Sequence, residues 1–60
     1  MTSERPKLEA LADRLRDEQR KLLFAAAEHT GMPHNRVLER VAQLELNISA
    51  IENTLAEMTD

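Results

Sequence analysis

Apolar residues in the second half of the chain recur at a helical spacing. Val37, Val41, Leu44, Ile48, Ile51, Leu55 and Met58 are separated by 4, 3, 4, 3, 4 and 3 residues. The average of about 3.5 is the repeat that holds one stripe of a helix against a neighbouring helix. It predicts a helix over about 35–58. A second helix is expected over about 6–30, where no Pro or Gly interrupts residues 7–30. Its stripe reads Leu8, Leu11, Leu15, Glu18, Leu22, Ala25 and His29, with Glu18 as a polar break and Gln19 beside it. Pro6 suits a first helical turn, Ser3 suits the cap, and Glu4 favours the positive end of the helix dipole.

The stretch "HTGMPHN", residues 29–35, punctuates the two helices. Gly31 is expected to stop the first in left-handed backbone. Pro33 as a first-turn residue, or Asn35 as a cap, starts the second. Helices of similar length joined by a turn at 31–34 return antiparallel. The expected fold is therefore all-α, an antiparallel two-helix hairpin forming one domain over residues 1–60.

Each helix carries a second apolar line. Leu38, Ala42, Leu46 and Ala50 follow a spacing of four, and Leu23, Phe24 and Ala27 lie off the first helix's stripe. A lone hairpin cannot cover both lines. Leu23, Phe24, Leu38 and Leu46 are the candidate intermolecular interface. A second hairpin laid on them would give a homodimeric four-helix bundle, and a further protein partner is the other option. Size argues the same way. A core of 60 residues rarely supplies more than about 3–5 kcal/mol unaided. The chain has no cysteine to cross-link it.

Charge adds an orientation. Residues 1–21 hold six of the eight basic side chains, while residues 41–60 hold Glu45, Glu52, Glu57 and Asp60 and no base. An antiparallel hairpin sets these segments side by side, which favours it over a parallel pairing. The net charge of −3 and a single aromatic residue count against single-strand nucleic-acid platforms built on stacking. No long apolar run suggests a membrane span, and residues 1–10 lack a signal-peptide core, so a cytoplasmic protein is expected. Asn47-Ile48-Ser49 fits the glycosylation pattern, but such a protein never meets that machinery.

Candidate chemistry is sparse. A nucleophile needs a base within hydrogen-bond reach. Ser49 falls in mid-helix, far from His29 and His34 at the turn. Glu18 is the one carboxylate expected in the seam, as a structural ion pair with Arg14 or Arg40. Glu28, His29 and His34 cluster near the turn, but residues 28 and 29 point about 100° apart on a helix, and zinc wants about four ligands. No catalytic, cofactor-binding or metal-ligating residue is nominated, and no cofactor is expected.

One motif-like segment remains. "AAAEHTGMPHNRVLERV", residues 25–41, places Ala27, Gly31, Met32 and Val37 at helix-turn-helix spacings. This segment resembles the helix-turn-helix core of bacterial transcription regulators. The resemblance implies a recognition helix opened by His34, Asn35, Arg36, Glu39 and Arg40, with Arg36 and Arg40 on guanines or phosphates and Asn35 on adenine. Arg40 stands where the pattern has an apolar residue, and Val41 comes one place late. A hairpin presenting Arg14, Arg16, Arg20 and Lys21 to RNA is a second nucleic-acid geometry. The principal expectation is a small, non-enzymatic, homo-oligomerising adaptor or regulator acting through helix-face contacts. A nucleic-acid-binding regulator is the alternative.

Overall fold

A computed structural model of the chain describes residues 4–58. Two helices, α1 (Glu4–Ala27) and α2 (Asn35–Glu57), pack against each other, and the described residues contain no strand. The Cα trace measures 49 × 14 × 13 Å. Crossing helices of 24 and 23 residues would spread about 35 Å in a second direction at 1.5 Å per residue. The narrow cross-section therefore describes rods lying side by side.

On α2 the seam matches its sequence pattern throughout. Leu44 and Ile48 are buried, and Val37, Val41, Ile51, Leu55 and Met58 are half-buried. On α1 the register differs from the expected one. The seam runs Leu8, Ala12, Leu15, Gln19, Leu22 and Ala26, with Ala12 buried and the rest half-buried. Leu11 stays half-buried at its edge, while Glu18, Ala25 and His29 are exposed. The physical reason lies at Gln19. Its amide donates to the Glu45 carboxylate at 3.0 Å and to the Val41 carbonyl at 3.4 Å. A neutral amide satisfied in this way is half-buried at far lower cost than a carboxylate. The small Ala12 and Ala26 complete an uninterrupted alternation of four and three.

This register has a measurable consequence. Gln19→Leu adds half-buried apolar surface and should raise stability by about 1 kcal/mol, which is roughly 4–8 °C in thermal midpoint for a domain this small. Glu18→Leu, on the exposed side, should change stability by less than about 0.5 kcal/mol. Equal effects from the two variants in thermal circular dichroism would contradict the observed seam.

The turn is longer than expected, because α1 ends at Ala27. It exits through tightened bonds: the Glu28 amide donates to the Phe24 and Ala25 carbonyls, and the His29 amide to Ala26. Gly31 does not adopt positive φ, so it is no left-handed cap. Pro33 disfavours helix at Met32, and Gly31 carries the entropic penalty of its freedom; together they stop the helix from running on. His34, extended at φ −60 and ψ 147, is the N-cap of α2 with no side-chain cap bond. Its carbonyl takes the first helical bonds from Val37 and Leu38. The helix begins at Asn35, so neither Pro33 nor Asn35 occupies the cap. Pro6 falls within the first turn of α1, where its missing N–H costs nothing. The expected Ser3 cap lies outside the described residues.

An added Cβ at Gly31 meets nothing within 4 Å. With φ also permissive, Gly31→Ala should stabilise by about 0.4–1 kcal/mol through the unfolded state. A loss of stability in denaturant titration would show that this position needs glycine after all.

Candidate interaction surface

Polar contacts fix how the helices face each other. The Arg16 guanidinium bridges to Glu52 across the helices and to Asp13 in its own helix at 3.1 Å. The hydrogen bond to Glu52 is the main reason that its pKa lies above the ordinary arginine value. Arg5 donates to the carbonyls of Leu55 at 3.0 Å and Met58 at 3.4 Å. A cation there adds a donor to carbonyls at the last turn of α2, where Leu55 already accepts from the Met58 amide, and meets the negative end of the helix dipole. These contacts join the base-rich start of α1 to the acid-bearing end of α2, the complementarity expected from the charge distribution. Exposed pairs of this kind contribute about 0–1 kcal/mol each, so they select orientation more than they supply stability.

The apolar seam leaves much apolar surface outside. Only Ala12, Leu44 and Ile48 are buried among the described residues, whereas Leu23, Phe24, Met32, Leu38 and Leu46 are exposed. Phe24 is 65% exposed and Leu46 is 70% exposed. Their positions follow from helical geometry. Phe24 is midway between the seam residues Leu22 and Ala26, and Leu46 is midway between Leu44 and Ile48. At 3.6 residues per turn, each therefore points roughly 180° from the seam. Leu23 and Leu38 follow Leu22 and Val37 by one residue and so lie on a flank, across from each other near the turn.

The two outward residues have different surroundings. Around Phe24 the positions three, four and seven residues away are mostly charged: Asp17, Arg20, Lys21 and Glu28. Arg20 and Asp17 pair at 3.4 Å. Around Leu46 they are Ala42, Gln43, Ser49 and Ala50, with Glu39 and Asn53 a heptad away. The outer face of α2 is thus a nearly uncharged strip, while Phe24 is an isolated apolar group on a charged face. Met32, 86% exposed, was not among the interface candidates because no helical line contains it. It lies beside an open apolar hollow of about 540 Å³ at the turn, which Leu22, Ala26, Pro33 and Val37 also line.

The residues of the nucleic-acid reading do not gather on one face. Arg16 and Arg20 are held by Glu52, Asp13 and Asp17. Helical geometry places Arg14, Lys21, Arg36 and Arg40 on the other flank, with Glu18 among them. Asn35, Arg36 and Arg40 are exposed in the first turns of α2. The helices joined by residues 28–34 lie alongside each other, whereas a helix-turn-helix crosses at about 90–120°. Glu18 is exposed, and no ion pair with Arg14 or Arg40 forms a buried seam contact. His29 and His34 are both exposed, and among the described residues no three His, Cys, Asp or Glu side chains gather as a metal site. No helix among the described residues is long and apolar enough to cross a membrane.

Compared with family models, curated proteins and solved structures, the chain finds no match.

Proposed function

We propose that the protein is a small, non-enzymatic adaptor or regulator that self-associates through its outward apolar residues and presents helix faces to another macromolecule. The observation that carries this reading is the imbalance between core and surface. Three of the described residues are buried, while Leu23, Phe24, Leu38 and Leu46 stand exposed. Phe24 and Leu46 point to opposite outer sides of the hairpin, so a second copy covers only part of this surface, and the four helices brought together that way have the larger core that so short a chain needs.

Association coupled to folding makes stability depend on protein concentration. The thermal midpoint of the helical signal should rise from low to high micromolar protein. A midpoint independent of concentration across that range would count against self-association.

The second reading, a nucleic-acid-binding regulator, draws support from the exposed Asn35, Arg36 and Arg40 at the start of α2. The side-by-side helices and the carboxylate-paired Arg16 and Arg20 place it below the first. Retardation of random-sequence DNA or RNA at low salt, lost steeply as salt rises, would bring it forward.

A further inference from the structure

The proposed self-association leaves open which face does the joining, and the outer strip of α2 answers this. Resting on that reading, we propose that the occupant of this strip is the α2 helix of a second copy, antiparallel, with Leu46 at the two-fold axis.

Two observations support one geometry. Ala42, Leu46 and Ala50 occupy the middle of the outer face of α2, with a small residue one turn to either side of the central leucine, and Leu38 continues the spacing of four onto the flank. Small residues let helix backbones approach, and an isologous contact needs a patch that is its own complement. With Leu46 at the axis, Ala42 of one copy is level with Ala50 of the other.

The charges then choose direction. In the antiparallel arrangement Arg36 comes within one residue of level with Glu57 of the second copy, and both lie on the same side of the strip, a heptad-multiple apart. The symmetry makes this pair twice. Glu39, in line with Leu46 one heptad earlier, meets the Asn53 amide of the other copy, which can donate to it. A parallel arrangement would instead stack Glu39 on its own copy, a like-charge contact that is disfavoured. The acidic Glu45 and Glu52 stay at the side, already engaged by Gln19 and Arg16. The arrangement leaves Phe24 and the apolar hollow at the turn uncovered, at both ends of the assembly.

The chain has no cysteine, so single introduced cysteines report contacts by oxidative cross-linking, which needs Cα atoms about 4.4–6.8 Å apart. The full chain carrying Leu46→Cys should cross-link to a covalent dimer in most molecules. A mixture of Ala42→Cys and Ala50→Cys chains should give the mixed dimer. Ala42→Cys alone and Phe24→Cys should remain largely uncross-linked. Efficient cross-linking of Ala42→Cys alone would show a parallel contact and overturn the proposal. So would a protein that is dimeric by sedimentation yet cross-links through Phe24→Cys and not Leu46→Cys; that outcome leaves self-association standing and moves the interface to α1. A protein monomeric by sedimentation, with no cross-link at any position, would overturn both readings. Charge gives an independent check. Arg36→Glu should weaken the dimer and the added change Glu57→Arg should restore it; failure of the restoration in a folded double variant would also overturn the proposed register.

Discussion

Leu44→Ala is expected to remove most of the folded population. Leu44 is the largest fully buried side chain among the described residues, at 0% exposure. It occupies the middle of the α2 seam, next to Glu45, whose carboxylate accepts from Gln19 of α1. Removing a buried leucine's outer atoms costs about 2–5 kcal/mol, from lost transfer energy and from the cavity left behind. A core of this size supplies about 3–5 kcal/mol in all. The loss is therefore comparable with the total, and a rod only two helices thick has little surrounding structure with which to fill the gap. Far-ultraviolet circular dichroism at micromolar concentration should show a largely unfolded chain, or a transition broadened and shifted far down in temperature. A variant with helicity and midpoint close to the parent would mean that the seam does not hold the hairpin together.

Leu46→Glu should have an equally large effect on a different property. Leu46 is 70% exposed within one hairpin, so the change removes almost no intramolecular contact. It places a charge at the axis of the proposed assembly, where it would meet its own symmetry mate. Burying two unpaired carboxylates costs several kcal/mol, and each 1.4 kcal/mol is about a tenfold change in dissociation constant. The expected result is a shift of the molar mass toward one chain at concentrations where the parent is dimeric. Some loss of helicity should accompany it, since the free hairpin has only its thin core. Leu46→Ala, by contrast, should leave helicity of the monomeric fraction nearly unchanged. A Leu46→Glu variant that retains the parent's mass would place the interface elsewhere.

These two residues also show what the sequence reveals. Leu44 and Leu46 lie two positions apart and differ only in phase, and the phase of α2 is unambiguous because seven branched or long apolar residues mark it. The first helix is harder to read. Leu8 and Leu15 belong to its seam, but Leu11 pulls the apparent stripe toward Glu18 and away from Gln19. The true line passes through Ala12, Gln19 and Ala26, residues that are small or polar and so carry little hydrophobic signal. What selects them is the partner helix: the Glu45 carboxylate and the Val41 carbonyl accept from the Gln19 amide, information held twenty or more residues away in the chain. The turn departs from its sequence pattern for a related reason. Glycine suggests a left-handed cap, but Gly31 lies beyond the helix end and uses no positive φ. Chain direction there is set by Pro33 and by the tightened last turn at Ala25 and Ala26. The exposure of Leu23, Phe24, Leu38 and Leu46 is legible because it follows from the phase of the two seams. Met32 escaped because a residue in an irregular turn has no phase to read.

The central claim is that the hairpin completes its core by pairing with a second copy. Sedimentation equilibrium of the unmodified chain across the micromolar range tests it most directly. The account predicts a molar mass that climbs with concentration to twice the 6.8 kDa of a single chain. A folded, helical species that stays at 6.8 kDa throughout would contradict it.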